Sequence, residues 1–165
     1  MNFTDLNKAC PKDSFPLSRI DLLVDSASGH ERISILDTFQ GYHQTPMTLS
    51  DQEKIAFINP RELYCYRVMP FGLKNAGGTY QRMVTTIFEN QIGKTVEVYI
   101  DDMLVKSVRK KGHLAHLKKV FGILWKDKLR LNTSKCLFGV SSGKFLGHII
   151  SYKGIEANPD QISHC

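Results

Sequence analysis

The sequence predicts an α+β domain of the ferredoxin-like split β-α-β kind, an antiparallel sheet with helices on one face. Three observations predict it. Val96-Glu97-Val98-Tyr99-Ile100 and Met103-Leu104-Val105 are apolar, β-branched runs on either side of Asp101-Asp102, which fits a hairpin with the acids at or beside its turn. Amphipathic helix patterns bracket that hairpin, one around Tyr80, Met83, Val84, Ile87 and Phe88, the other around Leu114, Leu117, Phe121 and Leu124. A short apolar run, Ile33-Ser34-Ile35-Leu36, ends in Asp37, so a β-α-β-β-α-β order sets Asp37 and Asp101 on neighbouring strands.

Each element has a local reason. Ser18 follows Pro16 and precedes Asp21 by three residues, the spacing of a helix start. Ile20, Leu23, Val24 and Ala27 then share a helical face, and Gly29 suits the stop. The strand to Asp37 follows. Ser50-Asp51-Gln52-Glu53 has capping-box spacing for a short helical turn. Strands are expected near Ile55–Ile58 and Leu63–Val68, joined through Asn59-Pro60, with Pro70 and Gly72 marking a loop. The helix through Tyr80 ends near Gly93. In the hairpin, alternation puts Val96, Val98 and Ile100 on one face and Glu97, Tyr99 and Asp101 on the other. The second helix carries Lys118, Lys119 and Lys126 on its polar side, and short strands are expected near Leu129–Leu131, Cys136–Val140 and Lys144–Ser151.

Composition sets bounds. A chain of 165 residues, 42% hydrophobic and 23% charged, can bury one sizeable core. No apolar run reaches spanning length and the first residues begin no signal peptide, so no membrane is expected and an intracellular setting is. Cys10, Cys65, Cys136 and Cys165 have no metal-ligand spacing and read as free thiols, although sequence leaves their pairing open. Residues 1–82 hold nine basic and nine acidic side chains, whereas Lys106 to Lys153 hold twelve basic ones against Asp127 alone. That field suits a polyanion such as nucleic acid, or else is a solvated helix face with basic loops.

The acids carry the functional reading. Adjacent carboxylates repel unless a cation neutralises them; the alternative is a solvated Asp-rich turn. Two strand-end acid sites beside an aromatic-glycine loop favour the first. Three carboxylates at one sheet end suit two Mg²⁺ ions, which take oxygen ligands. Such ions roughly 4 Å apart stabilise the attacking and leaving oxygens of phosphoryl transfer.

Six ordered elements resemble a known family: Phe3-Thr4-Asp5-Leu6-Asn7-Lys8, Leu36-Asp37, Gly41-Tyr42-His43-Gln44, Val68-Met69-Pro70-Phe71-Gly72-Leu73-Lys74-Asn75-Ala76, Tyr99-Ile100-Asp101-Asp102 and Phe145-Leu146-Gly147-His148. Together they resemble the reverse transcriptase of gypsy-class LTR retrotransposons, over essentially the whole chain. The resemblance implies a polymerase palm at about 33–44 and 69–151, fingers at about 1–32 and 45–68, and the start of a thumb connection at 152–165. It implies RNA-directed DNA polymerisation on an RNA or DNA template with a primer and deoxynucleoside triphosphates. The site would be intracellular: cytoplasm, virus-like particle or nucleus.

Roles follow from the same resemblance. Asp37, Asp101 and Asp102 match the catalytic acids, with the Thr38 carbonyl as a further ligand for two Mg²⁺ ions, or Mn²⁺ as a substitute. Gln40 and Gly41 fall where backbone N–H groups meet the triphosphate, and Tyr42 where an aromatic gate blocks a 2′-hydroxyl; apart from the match, Tyr42 reads as an ordinary core or surface tyrosine. Phe71 matches a residue lining the nucleotide pocket, or is a loop hydrophobe on the palm. Phe145, Leu146, Gly147 and His148 match a primer-grip hairpin, with Gly147 read as a strand glycine at a bulge, a close backbone approach or a plain edge. Tyr99, Lys74 and Arg82 are candidates for nucleic-acid contact, against solvated charge for the last two. His43 reads as structural. Asn2, Gln40, Glu62 and Gly78 depart from the commoner family residues without touching an acid. The family's basic fingers residues, its thumb, its ribonuclease H and the other polyprotein parts are not in these residues. A polymerase core working within a longer polyprotein, a catalytically inactive relic that binds nucleic acid, and an unrelated basic RNA-binding module are the competing readings. The intact acid trio argues against the last.

Overall fold

A computed structural model describes residues 3–157; the readings of Asn2 and Cys165, and most of the 152–165 connection, lie outside the described residues. In chain order the elements are α1 (Thr4–Ala9), α2 (Ile20–Ala27), β1 (Arg32–Asp37), a 3-10 turn (Gly41–Gln44), α3 (Leu49–Lys54), β2 (Phe57–Ile58), β3 (Leu63–Tyr64), α4 (Ala76–Ile87), β4 (Val96–Tyr99), β5 (Asp102–Ser107), α5 (His113–Lys126), β6 (Leu137–Val140), β7 (Ser142–Phe145), β8 (His148–Ser151) and β9 (Gly154–Ala157). β1, α4, β4, β5, α5 and β6 make the expected β-α-β-β-α-β unit. Its sheet runs β4-β5-β1-β6, and every pairing is antiparallel.

Both faces of that sheet are covered. Leu36, Val96, Val98, Met103 and Val105 pack under Tyr80 and Val84 of α4, its C-cap Phe88, and Leu117, Val120 and Leu124 from α5. The two long helices therefore share one face. Across the sheet, Ile33, Ile35 and Leu104 meet Leu23, Val24 and Ala27 of α2 and Phe145 and Ile150 of a three-stranded β7-β8-β9 sheet. Burial on both sides explains why the middle strands read as continuous apolar runs. It also sets α2, expected in the fingers, against the back of this sheet.

Local expectations shift at several ends. The α2 N-cap is Arg19 rather than Ser18, because Arg19 is the last residue with extended backbone. The α3 N-cap is Thr48 rather than Ser50, and the Thr48 hydroxyl donates to Asp51 Oδ2 at 2.9 Å. On α5 the buried stripe is His113, Leu117, Val120 and Leu124, leaving Leu114 and Phe121 outside. Leu129–Leu131 contributes only a single bridge, Leu131 to Thr38. The one strand expected at Lys144–Ser151 is a hairpin, β7 and β8 turning through Leu146 and Gly147. Leu146 (φ 47°) and Gly147 (φ 83°) both take left-handed backbone, so Gly147 belongs to a two-residue turn and not to a strand.

Side-chain amides fasten the N-terminal segment to the 70–75 loop. Asn7 Nδ2 donates to the Gly72 carbonyl and Asn7 Oδ1 accepts from Lys74 N, both at 2.8 Å. Asn75 bonds Pro11 and Asp13 in the same reciprocal way. Cys10, Cys65 and Cys136 are free thiols. Among the described residues no helix is long and apolar enough to cross a membrane.

Two buried polar groups join these layers. Glu97 lies on the face shared with α2, where Lys106 Nζ donates to its Oε1 at 2.6 Å and Ser26 Oγ at 2.8 Å. Lys106 also donates to the Ser26 carbonyl. Lys106 is therefore a core residue and leaves the basic field, which keeps its exposed members from Arg109 to Lys153. On the other face, the His113 ring sits between Ser34 Oγ (2.7 Å from Nε2) and Ser107 Oγ (2.8 Å from Nδ1), and His116 shares Ser107. Burial, then His116 and Arg32, hold the His113 imidazole below its ordinary value.

That lowering has a sign. Above the ordinary histidine value of 6.5 neither state is protonated at His113 and its contribution is complete. As pH falls through that value the unfolded chain takes a proton that the folded chain resists, and stability is lost. Urea midpoints are expected to fall more between pH 7.5 and 5.5 in this chain than in its His113→Asn variant. Parallel pH profiles would remove the assignment.

Candidate active site

The acids meet at one end of the four-stranded sheet because strand register brings them there. Asp37 closes β1 directly opposite Asp102, the first residue of β5, and Tyr99 faces Asp102 from β4. Ile100 and Asp101 form the turn between β4 and β5. Ile100 supplies the turn's left-handed residue (φ 51°), a conformation that β-branched side chains rarely take. Asp101 is thus a turn residue, while Asp37 and Asp102 are strand partners.

Asp101 is held by Thr38. The Thr38 hydroxyl donates to Asp101 Oδ1 at 2.8 Å, and Thr38 N donates to the Asp101 carbonyl at 3.0 Å. The Tyr80 hydroxyl, fully buried, donates to Thr38 Oγ1 at 3.0 Å. Burial pushes the Tyr80 phenol up to about 12, so it stays a donor at any working pH. Burial, then the neighbouring Asp37 charge, raises the Asp101 carboxyl; burial, then Asp37 and Asp101, raises Asp102. Lys135, with Nζ 3.9 Å from Asp37 Oδ2, opposes both shifts.

A cation would relieve this repulsion. The donors are carboxylate oxygens, the chemistry that Mg²⁺ and Mn²⁺ prefer. Among the described residues no three His, Cys, Asp or Glu side chains already enclose a metal position. The Asp101 carboxylate is instead engaged by Thr38.

The loop after Thr38 is shaped around the same acid. Gln40 takes left-handed backbone (φ 46°) and caps the Gly41–Gln44 turn. A Cβ on Gly41 would lie 2.1 Å from Asp101 Oδ1 and 2.6 Å from the Tyr80 ring and hydroxyl. The close approach that Gly41 permits is therefore to the acid itself. Tyr42 packs against Phe71 and Tyr80, with ring centres 5.3 and 5.6 Å apart. Burial, then Asp101, raises its phenol. Phe71 is more than half exposed and also meets His43. His43 pairs with the Gln40 side chain, in keeping with a structural role. A polar cleft of about 300 Å³ opens beside this turn, lined by Phe39, Gln40, His43, Gln44, Lys128 and Arg130.

The other sequence candidates are engaged in contacts of their own. Both Asp13 oxygens accept from Arg82 at 2.7 and 2.8 Å, and its guanidinium stacks over Phe15, so Arg82 ties the N-terminal segment to α4. Lys74 Nζ donates to the Cys10 carbonyl. Phe145 is buried core, whereas Tyr99 and Leu146 are half-buried against the same apolar cluster. His148 Nδ1 lies 3.0 Å from the Leu146 carbonyl, across the hairpin turn.

Sequence reading missed four residues of this site. In the sequence Tyr80 marks only the apolar face of a helix, and the resemblance points to the Thr38 carbonyl rather than its side chain. Lys135 carries no signal beyond its charge. Gln81, whose Oε1 accepts from Ile100 N beside Asp101, does carry one: it shares the α4 stripe with Val84, where a polar residue needs a partner.

The family model described as reverse transcriptase (RNA-dependent DNA polymerase) matches residues 1–150. The chain belongs to the reverse transcriptase family. Among its relatives are the retrovirus-related Pol polyprotein from transposon opus of Drosophila melanogaster, 35% identical over 98% of this chain and 16% of that protein. The transposon Tf2-3 polyprotein of Schizosaccharomyces pombe is 33% identical over 98% of this chain and 12% of its own length. The chain thus spans under a fifth of these relatives. The fold matches the foamy viral protease-reverse transcriptase, solved in complex with RNA/DNA hybrid, with a TM-score of 0.87, 22% identity and coverage of 99% of this chain and 22% of that one. The foamy viral protease-reverse transcriptase dRH in complex with ds DNA gives 0.89, at 22% identity over 99% of this chain and 29% of that one. The split β-α-β unit is therefore a reverse transcriptase fold.

Proposed function

We propose that this chain is the polymerase core of a retrotransposon Pol polyprotein, carrying out template-directed nucleotidyl transfer with two divalent ions, Mg²⁺ or Mn²⁺, at Asp37, Asp101 and Asp102. The observation that carries the reading is the convergence of these carboxylates at one sheet end, where burial and then the neighbouring acids push two of them up. Bound there, the ions would supply the charge neutralisation and Lewis acidity that phosphoryl transfer needs. The protein's own residues orient and exclude. Asp37 and Asp102 hold their separation through the β1–β5 register. Thr38 and Tyr80 fix the Asp101 carboxylate. The Gln40–Gly41 backbone faces the triphosphate, Tyr42 stacks under the sugar, and Phe71 borders the nucleotide from the facing loop. The Phe145–His148 hairpin, with Tyr99 beside it, takes the primer strand. In this reading residues 1–32 and 45–68 belong to the fingers and 33–44 and 69–151 to the palm, in an intracellular particle or compartment.

The exposed basic residues beyond Arg109 draw the template-primer duplex, with an affinity that falls steeply with salt. Primer extension by a Pol segment containing this chain tests the whole reading: addition of deoxynucleotides that needs divalent ion is the expected result. Duplex binding without any extension would mark a relic instead.

Sugar choice tests one residue. Tyr42, braced by Phe71 and Tyr80, presents a fixed wall. Tyr42→Ala is expected to raise the ribonucleotide-to-deoxynucleotide ratio of kcat/KM by about tenfold or more, the scale at which a steric pocket discriminates. An unchanged ratio would show that the gate lies elsewhere.

A further inference from the structure

We infer that Gln81 is a positioning residue for Asp101: its buried amide acts as a one-residue strand on the open edge of β4 and holds the Ile100–Asp101 turn in its disfavoured conformation. This rests on the reading above that Asp101 serves the reaction. Among the described strands β4 pairs only with β5, and its outer side otherwise carries a single bridge, Val96 to Ile92. Its outer side would leave the Val98 carbonyl and the Ile100 N–H without a strand partner. Gln81, 1% exposed, supplies both halves: Oε1 accepts from Ile100 N at 2.6 Å and Nε2 donates to the Val98 carbonyl at 3.3 Å. The Ile100 N–H can only donate and the Val98 carbonyl only accept, which fixes which way the amide faces, and Nε2 also reaches Thr85 Oγ1, one turn along α4.

The contact falls at the strained point. Ile100 stands at φ 51°, where hairpin turns normally place Gly or Asn. A turn of that kind persists only if its surroundings impose it. Gln81 imposes it from the Ile100 side. Its chain neighbour Tyr80 does so from the other, through Thr38 to the Asp101 carboxylate. Two consecutive residues of α4 thus grip the turn on both flanks of Asp101. Hydrophobic packing alone would place Leu or Met at position 81, in the stripe with Val84 and Phe88.

Three measurements test this. In the 165-residue chain, the Ile100 amide is expected to exchange with solvent as slowly as the core of β5; exchange at the rate of an exposed turn overturns the proposal, with no variant needed. In a Pol segment containing this chain, Gln81→Met is expected to lower kcat by about ten- to a hundredfold, since misplacement by roughly 1 Å costs about a hundredfold. KM for the deoxynucleotide and affinity for primer-template stay unchanged. In an Ile100→Asn background, where residue 100 accepts left-handed backbone readily, the same substitution is expected to cost about threefold or less. An equal loss in both backgrounds, or a rise in KM with kcat intact, overturns the proposal. Extension insensitive to Asp101→Asn would remove the underlying reading; extension sensitive to Asp101→Asn and indifferent to Gln81→Met would remove only this one.

Discussion

Replacing Asp101 with Asn is expected to lower kcat for nucleotide addition by about 10²–10³-fold, the usual effect of removing one preorganised charge from a reacting centre. Asn is isosteric, and its Oδ1 can still accept from the Thr38 hydroxyl, so the turn keeps its fastening. What changes is one negative charge of three. Two side results separate this from damage to the fold. Affinity for template-primer should hold, because the exposed basic surface is untouched. Stability without divalent ion should hold or rise: burial and Asp37 raise the Asp101 carboxyl, so its charged form is disfavoured in the folded state above that value. Mg²⁺ should raise the Tm of the chain and raise it less in the variant, since a ligand stabilises the state that binds it. Near-normal extension by Asp101→Asn would end the two-metal reading.

The largest effect on stability is expected at the Glu97–Lys106 pair. Both side chains are 4% exposed, and Ser26 from α2 contacts each. Lys106→Met leaves Glu97 charged, buried and short of its counter-ion, a change that typically costs about 3–5 kcal/mol. For a domain of this size that is roughly 6–20 °C in Tm. Replacing both, Glu97→Leu with Lys106→Met, should recover most of the loss, since an apolar pair of similar volume is often as stable. A loss under about 1 kcal/mol for Lys106→Met would mean that Glu97 is not held as a buried anion.

How much of this was legible in the sequence differs by level. The split β-α-β unit was legible because β1, β4 and β5 are apolar and short and because α4 and α5 show helical period. The acids were legible because carboxylates inside apolar runs need a reason. The hairpin at Leu146–Gly147 came from the family resemblance and not from local pattern, since Leu is a poor signal for left-handed backbone and only the β7–β8 pairing forces it. The α5 face differs from its apolar pattern because His113, hydrogen-bonded to Ser34 and Ser107, takes a core place that the pattern assigns to Leu114. Lys106 was counted as surface charge because its partner, Glu97, lies across a strand pair and its shield, Ser26, lies in a distant helix. Tertiary contacts decide all three, and no local pattern announces them.

Gly41 limits how this lineage can drift. The Asp101 carboxylate oxygen lies 2.1 Å from where a first side-chain carbon at position 41 would stand. Any replacement therefore acts on the acid, and on the Tyr80 ring and hydroxyl that brace it, before it acts on anything larger. In a collection of random variants selected for extension, tolerance at 41 should match tolerance at 101. One of these positions is fixed by what its side chain does, the other by the space it leaves.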